Sequence, residues 1–217
     1  MFMRLHWVAQ SPQIAPPPVL GGRMFPTALK SGSGRRGERP IKKALTEASC
    51  IMLIPKPVMD KLIDQVTHEF HAAHNYLEMA CRLDALSLKM LSGWFLKQAE
   101  EERQHGHKIL KYLLDVGAEV KLRDIPPPSG DFTSPVAIVQ CALDQEMTVT
   151  RQIYDLVGLA EQHKDYATRS FLEWFVDEQV EEVSTMTDLL HIVKMAGEHQ
   201  MLQVELRVAR LLETRAE

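Results

Sequence analysis

Gln98-Ala99-Glu100-Glu101-Glu102-Arg103-Gln104-His105 sits in the middle of a long helical pattern, and its phase decides the fold. Leu88, Leu91 and Phe95 precede it and Ile109, Leu113 and Val116 follow, at spacings that place all six on one helix face. Glu102 falls seven residues after Phe95 and seven before Ile109, and His105 follows it at i+3. Both side chains therefore point where the apolar stripe points, into a core. A buried carboxylate costs several kcal/mol unless it is neutralised, paired or bound to a metal.

The same interruption occurs in three other stripes. From Pro57, a residue suited to a first helical turn, a helix presents Met59, Leu62, Ile63, Val66, Phe70, Ala73, Leu77 and Ala80, with Glu69 between Val66 and Ala73. After Gly117, which stops the second helix, Ile125-Pro-Pro-Pro-Ser-Gly-Asp-Phe132 cannot be helical and reads as a long surface crossover. Ser134-Pro135 then supplies an N-cap and a first-turn proline for a third helix carrying Val139, Ala142, Leu143, Val149, Ile153, Leu156 and Ala160, with Glu146 three residues after Leu143. Beyond a polar break at Gln162-His-Lys-Asp165, a fourth presents Phe171, Trp174, Phe175, Leu189, Ile192, Val193 and Ala196, with Glu182 midway between Phe175 and Leu189. Gly197 ends it, and Met201 to Leu212 forms a short amphipathic fifth helix. Two short connections and one long one around four helices of about 25 to 30 residues, each roughly 40 Å long, predict an all-α four-helix bundle with one crossover.

One inward carboxylate per helix, joined by one imidazole and no core lysine or arginine, is a site for two divalent iron ions. A single glutamate on an apolar stripe is more often a helix edge; four in matching positions, one with Glu-x-x-His spacing, are not. Glu102 is the natural bridge, Glu69 and His105 complete one iron, and Glu146 and Glu182 complete the other. Tyr76, seven residues after Glu69, is placed to hydrogen-bond a ligand or give up an electron, against the alternative of an ordinary core aromatic. Glu101, Glu178, Glu181 and Glu182 have the spacing for a third iron site, whereas Glu100 reads as solvated surface. His68, His71 and His74 recur along the first helix, with surface exposure explaining at least two of them, and no remaining histidine is expected to be a ligand.

The net charge of −4 conceals an asymmetry. Before residue 51 eight basic residues (Arg4, Arg23, Lys30, Arg35, Arg36, Arg39, Lys42 and Lys43) face only Glu38 and Glu47, so the rest of the chain is strongly acidic. That suits cations and argues against nucleic acid as a partner. Residues 1–51, with Pro16-Pro17-Pro18, Gly21-Gly22 and Ser31-Gly-Ser-Gly34, lack an apolar periodicity and are expected to lie outside the fold, as a start-site extension or a targeting segment, leaving 52–217 as the domain. No apolar run is long enough to span a membrane. Cys50, Cys81 and Cys141, scattered and odd in number, fit a reduced, cytoplasmic protein, with Cys81 and Cys141 expected to be small core side chains.

Over about residues 52–212 the chain resembles the bacterial non-haem ferritins. The resemblance rests on Leu62-x-x-Gln65-x-x-x-Glu69 with Tyr76 downstream, Gln98-Ala-Glu-Glu-Glu102-Arg-Gln-His105, Gln145-Glu146, and Phe171-Leu-Glu-Trp-Phe-Val-Asp-Glu178-Gln179-Val-Glu181-Glu182. It implies a ferroxidase centre of Glu69, Glu102, His105, Glu146 and Glu182 with Gln179 nearby, and a third iron site at Glu101, Glu178, Glu181 and Glu182. It also implies oxidation of Fe(II) by oxygen or hydrogen peroxide, and a shell of 24 subunits holding a ferric oxyhydroxide mineral, the fifth helix lying near the fourfold axis. Bacterioferritin, the nearest alternative, would carry a second Glu-x-x-His where Thr185 follows Glu182 and a haem-binding methionine where Arg103 stands, so no haem is expected. A DNA-protecting miniferritin, suggested only by the basic first segment, is the other alternative. A rubrerythrin-type protein would need an iron domain held by four cysteines.

Overall fold

The structure is a computed structural model that describes residues 53–214. Residues 1–51, expected to stand apart from the fold, lie outside the described residues, as does Cys50. The described chain is α-helical, with helices α1 (Lys56–Ala85), α2 (Lys89–Asp115), α3 (Pro135–Gln162) and α4 (Tyr166–Ala196), a 3-10 turn (Glu198–Gln200) and α5 (Met201–Thr214). This is the bundle expected from the four stripes, with its long crossover between α2 and α3.

The ends of the helices have local causes. Pro57 occupies the first turn of α1. Ser134 caps α3 by accepting a hydrogen bond from the Ala137 amide at 3.2 Å, with Pro135 following it. Asp165 caps α4 through the Thr168 amide at 3.0 Å. Gly197 ends α4 with φ of +57°, a conformation glycine adopts at little cost. The start of α2 differs, because its N-cap residue Leu88 has no side chain able to accept a hydrogen bond. Glu205 of α5 does so instead, its two carboxylate oxygens accepting from the amides of Met90 at 2.8 Å and Leu91 at 2.9 Å. Val204 and Val208 of α5 are buried beside this contact, in the same apolar cluster as Leu91 and Trp94.

The core is divided in two. One apolar cluster holds Tyr76, Leu83, Leu91, Phe95, Ile138 and Val193; the other holds Val58, Leu62, Val66, Ile109, Ile153 and Phe175. A layer of buried polar groups lies on the same four helices, including Gln65, Glu69, Gln98, Glu102, His105, Glu146, Gln179 and Glu182. Apolar burial in the two clusters stabilises the bundle, at about 25 cal/mol per Å². The polar layer opposes it.

Two stripe residues are out of phase with expectation. Leu77 and Trp174 are each 38% exposed, because their chain neighbours Tyr76 and Phe175 take the inward slots. A step of one residue turns a helix by about 100°, enough to move a side chain from core to rim. Cys81 is exposed rather than in the core, and Cys141 is half-buried. Cys141 instead helps fix the crossover, its Sγ accepting from the Asp131 amide at 3.2 Å. The crossover is further held by Asn75, which accepts from the Ser129 amide at 3.0 Å and donates to Gln145 of α3 at 2.8 Å. Phe70 of α1 packs against the backbone of α2 at Gly106, where a Cβ would come within 2.8 Å of the ring.

Candidate metal centre

Glu69 of α1, Glu102 and His105 of α2, Glu146 of α3 and Glu182 of α4 are all 5% exposed or less. Glu69, Glu102 and His105 form the group among the described residues with metal-binding geometry, each offering a ligand atom within 4.8 Å of the others. Glu102 is central. It lies within hydrogen-bonding reach of both Glu69 and Glu146, and Glu182 is close enough to act on it electrostatically. His105 Nδ1 is 3.3 Å from Glu102 Oε2.

The electrostatics are those of a site waiting for positive charge. Burial raises the Glu102 carboxyl well above its ordinary value, and the neighbouring carboxylates of Glu146, Glu69 and Glu182 raise it further. Burial likewise brings Glu146 up to about 7, opposed by the hydrogen bond from Tyr76. Among the described residues no lysine or arginine is buried to balance these groups. One oxygen each of Glu69, Glu102 and Glu146 is buried without a hydrogen-bond partner. An unsatisfied buried acceptor costs about 1–3 kcal/mol, more when charged, and metal coordination removes that cost.

Several neutral groups orient the carboxylates. Tyr76 donates its hydroxyl proton to Glu146 Oε1. Burial raises the Tyr76 hydroxyl well above 10, the nearby Glu146 and Glu102 adding to it, so the tyrosine stays protonated. Gln98 Nε2 donates to Glu182 Oε2 at 2.9 Å, and Gln65 Nε2 donates to Glu69 Oε1 at 2.9 Å. Gln179 accepts from the Thr150 hydroxyl at 2.9 Å and also reaches Glu146. The positioning parts of Gln65 and Gln98 were not evident from the stripes, although each precedes an inward glutamate by four residues and so shares its face.

Glu101, Glu178, Glu181 and Glu182 line one cavity of about 440 Å³ between α2 and α4, together with His105, Lys108 and Trp174. Glu182 is buried, Glu101 and Glu178 are half-buried, and Glu181 is exposed. His105 Nε2 lies 3.9 Å from Glu178 Oε1, so this cavity adjoins the central group. Lys108 places its ammonium 3.1 Å from the centroid of the Trp174 ring. Glu100 is exposed and pairs with Arg103 at 2.5 Å, placing Arg103 on the surface. Of the three histidines on α1 only His74 is exposed; His68 and His71 are half-buried, because the crossover folds over that face and His71 Nε2 lies 3.2 Å from the Pro127 carbonyl.

Residues 59–196 match the ferritin-like domain family. The chain belongs to the ferritin family. This ferritin is 42% identical over 146 residues to the bacterial non-haem ferritin of Staphylococcus aureus strain NCTC 8325, an alignment covering 67% of this chain and 88% of the relative. It is 40% identical over 146 residues to that of Staphylococcus haemolyticus, with the same coverage. Among solved structures, an open-pore ferritin from the archaeon Archaeoglobus fulgidus superposes with a TM-score of 0.70 at 33% identity, covering 72% of this chain and 97% of the other. A humanized archaeal ferritin gives 0.69 at 33% identity, covering 71% and 96%. The family and the names of these relatives make this an iron-storage protein with a ferritin fold. No helix among the described residues is long and apolar enough to cross a membrane.

Proposed function

We propose that this ferritin oxidises Fe(II) at a paired-iron site made by Glu69, Glu102, His105, Glu146 and Glu182, and stores the ferric product as an oxyhydroxide mineral inside a homo-oligomeric shell. The observation that carries this is the crowding of the buried Glu69, Glu102 and Glu146 carboxylates, one oxygen of each accepting no hydrogen bond, with no buried lysine or arginine among the described residues. Carboxylate oxygen and imidazole nitrogen are ligands that suit Fe(II), and a bundle core can hold two such ions side by side. Glu102 is the bridging ligand, as its reach to both Glu69 and Glu146 supports. Gln179 stands beside the second iron and Tyr76 holds Glu146 in place or donates an electron.

The reaction balances as two Fe(II) giving one electron each to dioxygen, which with two protons becomes hydrogen peroxide, or to hydrogen peroxide, which with two protons becomes two waters. The protein supplies ligands, spacing and a site shielded from bulk water, while the redox chemistry belongs to iron. Glu101, Glu178, Glu181 and Glu182 form a third iron site that adjoins the pair through His105 and Glu182. A shell of 24 subunits, a cytoplasmic location and the absence of haem are part of the same proposal, which likeness to the bacterial non-haem ferritins supports.

Anaerobic Fe(II) titration of the purified protein, followed by addition of oxygen or peroxide with optical detection, tests the proposal. Saturable binding of two to three Fe(II) per subunit and oxidation far faster than that of free Fe(II) are expected. Stoichiometric binding of one ion or none, or oxidation at the rate of free Fe(II), would overturn it.

A further inference from the structure

The central site adjoins two openings on different helix pairs, and their chemistries differ. The α2–α4 cavity carries Glu101, Glu178, Glu181 and Glu182 and suits cations. The second opening is a groove of about 330 Å³ between α1 and α3, beneath the crossover. Apart from Asp144, its polar lining is neutral amides, hydroxyls and the two half-buried histidines, His68 and His71.

Gln152 lines the groove, and Gln152 Oε1 lies 3.4 Å from Gln65 Nε2. The same Gln65 nitrogen donates to Glu69 Oε1 at 2.9 Å. One amide therefore separates the groove from a carboxylate of the iron site. Gln65 is 1% exposed, yet its Oε1 has no hydrogen-bond partner. The Nε2 of Gln145, which lines the groove one residue before Glu146, is also buried without a partner. An unused acceptor thus lies on Gln65, behind Gln152, and an unused donor on Gln145, about 10 Å away along α3 from Gln152. Buried polar atoms are seldom left in that state without a reason, and a small molecule that meets each in turn is one.

We propose that the amide-lined groove between α1 and α3 is the passage through which hydrogen peroxide reaches the paired-iron site and water leaves it. Hydrogen peroxide is small and uncharged, donates two hydrogen bonds and accepts several, so it can exchange partners along Gln145, Gln152 and Gln65. A cation gains little from a neck that presents N–H groups and has carboxylates waiting at the other opening. Dioxygen forms no comparable hydrogen bonds and needs no amide relay. This inference rests on the oxidation of Fe(II) proposed above.

The test uses Gln152→Leu in the assembled protein, a change of similar size at a residue that touches no proposed ligand directly. Stopped-flow oxidation of bound Fe(II) is followed at several peroxide concentrations and, separately, with dioxygen. Anaerobic Co(II) binding kinetics serve as the control for cation passage. The expected result is a fall of about tenfold in the second-order rate with peroxide, the factor that corresponds to about 1.4 kcal/mol or one hydrogen bond. The dioxygen rate and the Co(II) binding rate stay as in the wild type. Thr148→Phe, at an exposed position on the groove rim, should also slow the peroxide reaction and guards against a purely local effect of Gln152. Unchanged peroxide rates in both variants overturn the inference. So does an equal loss with peroxide and dioxygen, which would mean a damaged site, or slowed Co(II) binding, which would mean a cation route. Failure of the wild type to accelerate oxidation with either oxidant would instead sink the proposed function itself.

Discussion

Replacing Glu146 by glutamine should stabilise the metal-free protein while weakening its hold on iron. The carboxyl is wholly buried and brought from 4.5 to about 7 by that burial. A folded-state value above the unfolded one means that the folded protein holds more protons between the two, so stability is lost as pH rises through this window. At about 1.4 kcal/mol per unit, the shift amounts to about 3 kcal/mol of lost stability above pH 7 and about 1 kcal/mol near pH 5. Glutamine carries no charge to bury and can still accept the Tyr76 hydrogen bond. The metal-free Glu146→Gln protein should therefore melt roughly 6–12 °C above the wild type at pH 8, using about 2–4 °C per kcal/mol for a chain of this size. Near pH 5 the gap should shrink to a few degrees. Scanning calorimetry of chelator-treated protein at the two pH values measures this. With Fe(II) added anaerobically the order should narrow or reverse, since only the wild type keeps the full ligand set. A variant that melts at or below the wild type at both pH values would show that ionising Glu146 costs the fold nothing, and the account of the polar layer as an opposing force would fail.

Under the proposed assignment Glu102→Ala removes a ligand from both irons and should abolish rapid oxidation, whereas Glu101→Ala should leave oxidation of the first two irons in place and alter how much oxygen is consumed per iron; equal losses in stopped-flow would erase the division between pair and third site. Glu205→Ala should cost about 1–2 kcal/mol, the value of a lost helix cap, and amide exchange at Met90 and Leu91 should accelerate if the two hydrogen bonds are the cause. Deleting residues 1–51 should leave assembly and iron oxidation intact, and loss of shells in size-exclusion chromatography would show that the segment belongs to the fold.

The four interrupted stripes could be read without coordinates because a glutamate seven residues from apolar neighbours on both sides can only face as they do. Phase at the stripe edges could not: Leu77 and Tyr76 are both compatible with the pattern, and packing against three other helices selects Tyr76. Trp174 lost its inward place to Phe175 for the same reason. Gln65 and Gln98 share the face of Glu69 and Glu102, but polarity alone does not say whether an amide meets a carboxylate or solvent. The burial of His68 and His71 depends on where the crossover lies, and the cap from Glu205 joins residues more than a hundred positions apart. Local pattern carries no trace of either.

That cap has a consequence for the far end of the chain. Two free N–H groups at the start of α2 are held by a carboxylate borrowed from α5, and α2 is the helix that carries Glu102 and His105. Any event that pulls α5 away, whether a neighbouring subunit, a fused tag or a cut ahead of Glu205, leaves those donors bare and lets the first turn of α2 fray. Fraying shortens a helix from its end toward its middle, where Glu102 and His105 lie three to four turns on. α5 is in that sense a remote tether for the candidate metal site, acting through the backbone of a single helix.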